Sequence, residues 1–364
     1  MSIHKPLKTY LWVWGLWLLA FYSVWLWLVL GLGYWPAARE HWPIAFAMAL
    51  GSYAAGSTPM GGGTVGFPVL VLLFDTPASL GRDFSFAVQS IGMTSASIFI
   101  LARRQPLAVA ILKGAMLGTL IGLPIGIFFI APYIPELWIK IVFAVVWASF
   151  GLLHLYRINE IAGHSGIIDF NEGWNFRLGL VLGVLSSALV VSVTGVGIDM
   201  VVYAALVLLC RADLKIAIPT SVVIMAFASV YGIAIKNLTL GVEEGVFENW
   251  LAAAPVVALG APMGVFIVNL ISRKPTLLFV AVLCVGQFIW TCINEYQALQ
   301  LAGLTIALAA VGTVLFFFER LRAWGSILSG QAQSRKHYSS LGYQEVEPHV
   351  SSHEERSLQD KPIY

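Results

Sequence analysis

Charge is what this sequence has least of. Only 11% of its 364 residues are Asp, Glu, Lys or Arg, less than half the roughly 25% of a soluble domain. Lys and Arg exceed Asp and Glu by two, and no basic stripe concentrates them, so nothing marks a nucleic-acid partner. Cysteine is scarce too: Cys210, Cys284 and Cys292 sit in or beside apolar runs. They form no C-x-x-C pair, and no His-rich spacing accompanies them. That pattern implies packing, with no metal site, cofactor or disulfide. What remains is 59% apolar residues, the composition of an all-α integral membrane protein.

A helix needs about 20 apolar residues to cross the hydrocarbon core. Eight runs qualify: 10–33, 84–102, 106–131, 137–157, 214–235, 248–272, 276–293 and 299–320. The first is too long for a signal-peptide core and reads as a retained, Trp-rich helix. Two further segments, 43–75 and 177–210, are apolar but interrupted by glycine. Between Pro43 and Phe74 there is no charged residue at all, yet "GSTPMGGGTVGFP" (56–68) breaks the run.

Lys and Arg favour the cytoplasmic side. If both broken segments are re-entrant and Lys5 and Lys8 lie inside, most basic loop residues also fall inside. These are Arg103, Arg104, Arg157, Arg177, Arg211, Lys215, Arg273, Lys274, Arg320 and Arg322. Arg39, Arg82, Lys140 and Lys236 dissent. The expectation is eight spanning helices plus two re-entrant broken helices from opposite faces, with both termini cytoplasmic. Residues 324–364, polar and without an apolar run, read as a disordered cytoplasmic tail.

"GLPIGIF" (122–128) recurs as "GAPMGVF" (260–266), 138 positions on. "GGGTVGF" aligns with "GVGIDMV" at an offset of 134, and "AVQS" (87–90) faces "IPTS" (218–221) at 131. The division that follows is an N-terminal helix (1–42), a first repeat (43–157), a cytoplasmic loop (158–176), a second repeat (177–293), a last helix (294–323) and the tail. An odd number of spans separates equivalent points, so the repeats are inverted, a recurring transporter design. Pro124 and Pro262 are expected to kink their helices around the re-entrant elements.

Glycines let backbone amides approach a ligand, and a helix starting at a break aims its free amides and positive dipole end there. Gly61, Gly62 and Gly63, with a helix from Thr64, form one such end. Gly195 and Gly197, with a helix from Ile198, form the other. Two ends meeting near the midplane make an anion site without a buried cation. Ser57, Thr58, Thr64 and Thr194 have hydroxyls to donate, and Gln89, Ser90, Thr220 and Ser221 would complete the shell. The competing reading for each hydroxyl is a bond to its own i−4 carbonyl. Asp199 is the one acidic residue deep in an apolar run; it either carries a proton for coupled transport or caps the second half-helix. Lys113 either snorkels or attracts the anion. Arg82 either pairs with Asp83 or forms an exit-gate charge. An aspartyl protease is excluded, because no second carboxylate lies at membrane depth beside Asp199.

These motifs together resemble the TauE/SafE family of sulfite and organosulfonate exporters. They are the glycine triplet followed by proline and leucine in "GGGTVGFPVL", the polar pairs "QS" and "TS", and G-x-P-x-G in both halves. The resemblance covers roughly residues 40–295. It implies a permease of the bacterial inner membrane that exports a small sulfur-containing anion. An anion channel, or a carrier for small carboxylates, is the alternative. The second half departs from the pattern, with "TGVGID" for the triplet and Val202 where proline is expected.

Overall fold

A computed structural model describes residues 9–340, without Asp169 and Ser272. Those described residues form helices and no strand. α1 (Leu11–Leu26) and the short α2 (Trp35–Glu40) lead into the first broken segment. Its arms are α3 (Trp42–Ser57) and α4 (Gly63–Pro68), the latter continued by a π turn over Val69–Leu73. α5 (Ala78–Ala102), α6 (Val109–Phe129) and α7 (Glu136–Ala162) follow. The second broken segment runs through α8 (Glu172–Ser186), a π turn (Ser187–Val191) and α9 (Ser192–Thr194) to its break. It resumes in α10 (Ile198–Ala204) and another π turn, Ala205–Leu209. α11 (Leu214–Leu238), α12 (Val246–Ile271), α13 (Arg273–Asn294) and α14 (Tyr296–Ser340) complete the chain.

Nine helical stretches among the described residues are long and apolar enough to cross a membrane, one more than the eight expected. The ninth is Glu172–Thr194, the first arm of the second broken segment. Its segment nevertheless returns to where it began. Ile168 N–H donates to Cys210 O at 3.0 Å, and Asp213 N–H donates to Gly166 O. The first broken segment folds back likewise, because Gly62, Val65 and Gly66 lie against Ala55, Gly51 and Met48 in descending order. Both are hairpins.

Contacts between chain ends put the hairpins on opposite faces. One face gathers Tyr10 with Ala102, Ala108 with Thr220, Arg157 with Glu319, and Arg211 and Arg322 with Glu160. The second hairpin opens there. The other face gathers Ala38 with Leu251, Glu136 with the amide of Ser79, and Asp83 with Lys236. The first hairpin opens there. Three of the four basic residues that dissented from the charge bias have a carboxylate partner on that face. Arg82 and Lys236 hold Asp83 at 2.9 and 3.1 Å, and Lys140 holds Glu295 at 2.6 Å. The tail differs from expectation, since helix continues through Ser340; residues 341–364 lie outside the described residues.

Each G-x-P-x-G helix packs on the hairpin of the other half. Gly114, Gly118, Gly122 and Gly126 of α6 let the backbones of α8 and α9 so close that a Cβ would overlap Leu180, Val184 or Ser192. On α12, Gly260 and Gly264 admit Ser52, Tyr53 and Gly56 of α3 in the same way. Small residues at i, i+4 spacing permit this approach in lipid. The prolines stand inside continuous α6 and α12. A helical proline leaves the carbonyl four residues earlier without its donor. Here side chains from neighbouring helices replace three of those donors. Tyr231 O–H donates to Leu120 O at 3.3 Å, below Pro124. Trp25 Nε1–H donates to Leu251 O at 2.9 Å, below Pro255, and Ser95 O–H donates to Ala258 O at 2.6 Å, below Pro262.

Ser95→Ala should therefore lower the thermal stability of the detergent-purified protein by about 1–3 kcal/mol, the cost of an unmet buried carbonyl. Ser97→Ala is the control; the Ser97 hydroxyl is buried with no hydrogen-bond partner, and its loss should leave the melting midpoint unchanged.

Candidate functional site

The two breaks meet. Gly61 has φ of +61°, Gly195 +78° and Gly197 +113°, conformations that L side chains resist. A Cβ on Gly61 would run into Gln89 Oε1 and lie 2.9 Å from Asp199 Oδ2. One on Gly63 would overlap Val196 and lie 3.1 Å from both Gln89 Nε2 and Ser85 Oγ. Gly195 leaves no room for a Cβ against the carbonyl of Arg82. The first break thus touches Val196 and Asp199 of the second, with one side of α5 (Arg82, Ser85, Gln89) wedged beside both.

Both half-helices, Gly63–Leu73 and Ile198–Leu209, begin at this junction. Their starts differ. Asp199 folds over its own helix start, where its Oδ1 accepts the Met200 N–H at 3.0 Å. Among the described residues, the amides of Gly61, Gly62 and Gly63 have no comparable side-chain acceptor. Two oxygens at the junction, Gln89 Oε1 and Asp199 Oδ2, are buried without a hydrogen-bond partner, and both face Gly61.

α7 braces the pair from behind. Trp147 Nε1–H donates to Thr64 Oγ1 at 2.7 Å, while its ring lies 3.7 Å from the Cβ position of Gly197. Phe143 stacks between Trp147 and Phe67, with ring centroids 3.9 and 4.2 Å apart. Junction and brace together offer open amides, a carboxylate and an amide oxygen, held rigidly and shut off from water.

The profile of the family described as sulfite exporter TauE/SafE matches residues 43–291. The chain belongs to that family. It is a multi-pass membrane transporter. No match was found among curated proteins or among solved structures. The match spans both breaks and leaves out α1, α2 and all of α14.

In this TauE/SafE protein the expected residues divide into three groups. Gly61, Gly63, Gln89, Gly195, Gly197 and Asp199 come together at the junction. Gly62 belongs to the same turn, but its open side faces Met48 and Ala55 of α3. The hydroxyls all bond to nearby backbone carbonyls. Ser57 donates to Tyr53 O, Thr58 to Ala54 O, Thr64 to Met60 O, Ser90 to Ala87 O, Thr220 to Ile216 O and Ser221 to Ile218 O. Thr194 donates to Val190 O and Val196 O, closing the second break. Thr220 also accepts the Ala108 N–H at 3.0 Å, near the face where the second hairpin opens. Lys113 is exposed on the outside of α6, away from the junction.

The register of the halves also differs from the sequence alignment. α5 and α11, each 25 residues, and the π turns Val69–Leu73 and Ala205–Leu209 are all related by 136 positions. Gly61 therefore corresponds to Gly197, and Gln89 to Met225. The near-identity of "VLVLL" and "ALVLL" carried this signal. Ser85, Trp147 and Val196 went unnoticed; only Ser85, one turn before Gln89, had a readable spacing.

Gly61→Ala should reduce transport at least tenfold while the protein still inserts and purifies, since it adds both a clash and a left-handed strain of about 1–2 kcal/mol. Gly286→Ala on α13, where a Cβ meets nothing within 4 Å, should transport like the parent. Vesicle flux normalised to inserted protein checks both.

Proposed function

We propose that this protein exports sulfite or a small organosulfonate across the bacterial inner membrane, with both termini cytoplasmic. The anion binds between the two breaks of inverted repeats 43–157 and 177–293. The observation that carries this is the unequal pair of half-helix starts. The Gly61–Gly63 turn offers amides and a positive dipole end, while Asp199 occupies the other. Membrane depth leaves an oxyanion without water, so backbone donors would take over its hydration, joined by Gln89 once its side-chain amide turns Nε2 in place of Oε1 toward Gly61.

Asp199 sets the condition for binding. An ionised carboxylate facing Gly61 repels an anion there, whereas a protonated one donates to it. The anion and a proton therefore occupy the junction together. The hydroxyl candidates act through position, holding the backbone turns through the bonds they already make. The Arg82 side chain belongs to the route out, while its backbone carbonyl borders the second break. A monovalent anion leaving a cell with a negative interior gains about 2.3 kcal/mol per 100 mV, which drives export even when a proton travels with a divalent anion.

The deciding experiment uses proteoliposomes loaded with labelled sulfite, taurine, sulfoacetate or acetate, with and without an imposed potential. Saturable flux of sulfite or a sulfonate that exceeds acetate flux is expected. Preference for acetate would replace the substrate class, and unsaturable flux of thousands of ions per opening would make the protein a channel. Asp199→Asn should retain flux and lose its dependence on pH. An unchanged pH profile in that variant would confine Asp199 to capping.

A further inference from the structure

A second polar cluster lies one helical turn from the junction, at the face where the first hairpin opens. Asp83 is fully buried at its centre. Its Oδ1 accepts from Arg82 Nε at 2.9 Å; its Oδ2 takes Lys236 Nζ at 3.1 Å and the Glu243 N–H at 3.2 Å. Arg82 comes from α5, Lys236 from the end of α11 and Glu243 from the loop to α12. Two cations thus share one buried carboxylate, so the buried side chains Arg82, Lys236 and Asp83 sum to one positive charge, while the carboxylates of Glu243 and Glu244 are exposed in the adjoining loop. Asp83 engages only the Nε of Arg82, and among the described residues the terminal guanidinium nitrogens have no hydrogen-bond acceptor.

Beside the cluster is a cavity of about 220 Å³ lined by Arg82, Phe86, Ser192, Lys236 and Leu240, with Ile127, Ala131 and Pro132 closing the α6 side. The volume suits a sulfite or a short sulfonate. Both of its ends are informative. The backbone carbonyl of Arg82 touches Gly195, and Ser192 stands three residues before that break. Arg82 therefore belongs at once to the cavity wall and to the wall of the second break.

We infer that this cavity is a second oxyanion site, a vestibule between the junction and the bulk phase, in which Asp83 is the internal counter-ion that a passing anion displaces. The inference rests on the anion-transport reading and adds a site to it. Charge neutrality supplies the reason. Two desolvated cations would hold an anion too tightly for release, and a built-in carboxylate competes with it. An arriving oxyanion takes the open guanidinium edge and the ammonium, geometry that Arg supplies for tetrahedral or pyramidal oxyanions. Asp83 keeps its backbone bond to Glu243 while it yields them. Lys236 and Arg82 are two of the four basic residues that run against the charge bias of the loops, and a resident anion site on this face accounts for the placement of these two.

Sulfite flux in proteoliposomes tests this through signs. Arg82→Gln and Lys236→Gln should each raise the KM for sulfite about tenfold, the loss of one charge-assisted contact. Asp83→Asn should lower the KM and also lower kcat, because the freed cations retain the anion. A purely structural cluster predicts instead that all three variants lose inserted protein or kcat with KM unmoved, and that outcome overturns the inference. Should Lys236→Gln fold poorly beside an unpaired Asp83, the double variant Asp83→Asn with Lys236→Gln restores neutrality, and its KM should still exceed that of Asp83→Asn. If the parent carries no sulfite at all, the substrate reading fails separately. The vestibule is then decided by sulfite-dependent thermal stabilisation in detergent, which should be greater in Asp83→Asn than in the parent; equal or smaller stabilisation overturns it.

Discussion

Everything in this structure answers to one constraint: at membrane depth no water pairs with a free backbone amide or carbonyl, so protein must do so. The helical prolines show how strictly this holds. Pro124, Pro255 and Pro262 each orphan a carbonyl, and Tyr231, Trp25 and Ser95 each donate to one. α1 is mostly exposed along its length, and its Trp25 bond to α12 is of this kind. Tyr22 O–H adds a second bond to α12, to Pro255 O at 2.6 Å, a carbonyl that no proline orphans. The two broken segments are larger instances of the same problem. They survive because each break is covered by the other half of the chain.

Covering the breaks requires close approach, and close approach requires glycine. The stripe Gly114, Gly118, Gly122 and Gly126 brings α6 against α8, and Gly260 with Gly264 brings α12 against α3. This cross-packing presses the two turns together over α5. The glycine positions within the turns then serve a different end: Gly61, Gly195 and Gly197 adopt left-handed backbone, and the space a Cβ would need at Gly61 is taken by the Gln89 and Asp199 oxygens. One half-helix start is occupied by its own carboxylate and the other is open. In the proposed reading that inequality is what suits the junction to an anion and ties its binding to the charge on Asp199.

Much of the fold was legible in residue types. Loop charges predicted hairpins opening on opposite faces, and the main-chain pairing of Ile168 with Cys210 bears out the second of them. The ninth stretch comes from length alone, because Glu172–Thr194 is long enough to cross yet ends at a break and belongs to a hairpin. Among the dissenting basic residues the Arg82–Asp83 pair was readable as neighbours, but Lys236 and Lys140 lie more than a hundred residues from Asp83 and Glu295, so the cluster was not. At the site, glycines and Asp199 were readable because so few residue types tolerate those positions. The hydroxyls were not, because a serine reads the same whether it faces a ligand or its own helix carbonyl. Register was misread by two to five positions, as short glycine matches slide easily while the π turns that anchor it have no sequence signature beyond "LVLL".

By itself the sequence determined that this is a multi-pass helical membrane protein, broken twice by glycine, with a carboxylate at one break and a triplet at the other. These follow from composition and local backbone preference, which act on neighbours in the chain. Only the tertiary structure decided which atoms meet. Gln89 and Asp199 came to face Gly61, Trp147 came to bridge Thr64 and Gly197, and Arg82 joined the junction to the Asp83–Lys236 cluster. Those contacts join segments dozens to more than a hundred residues apart. They arise from helix packing at small-residue stripes, whose geometry no local pattern specifies.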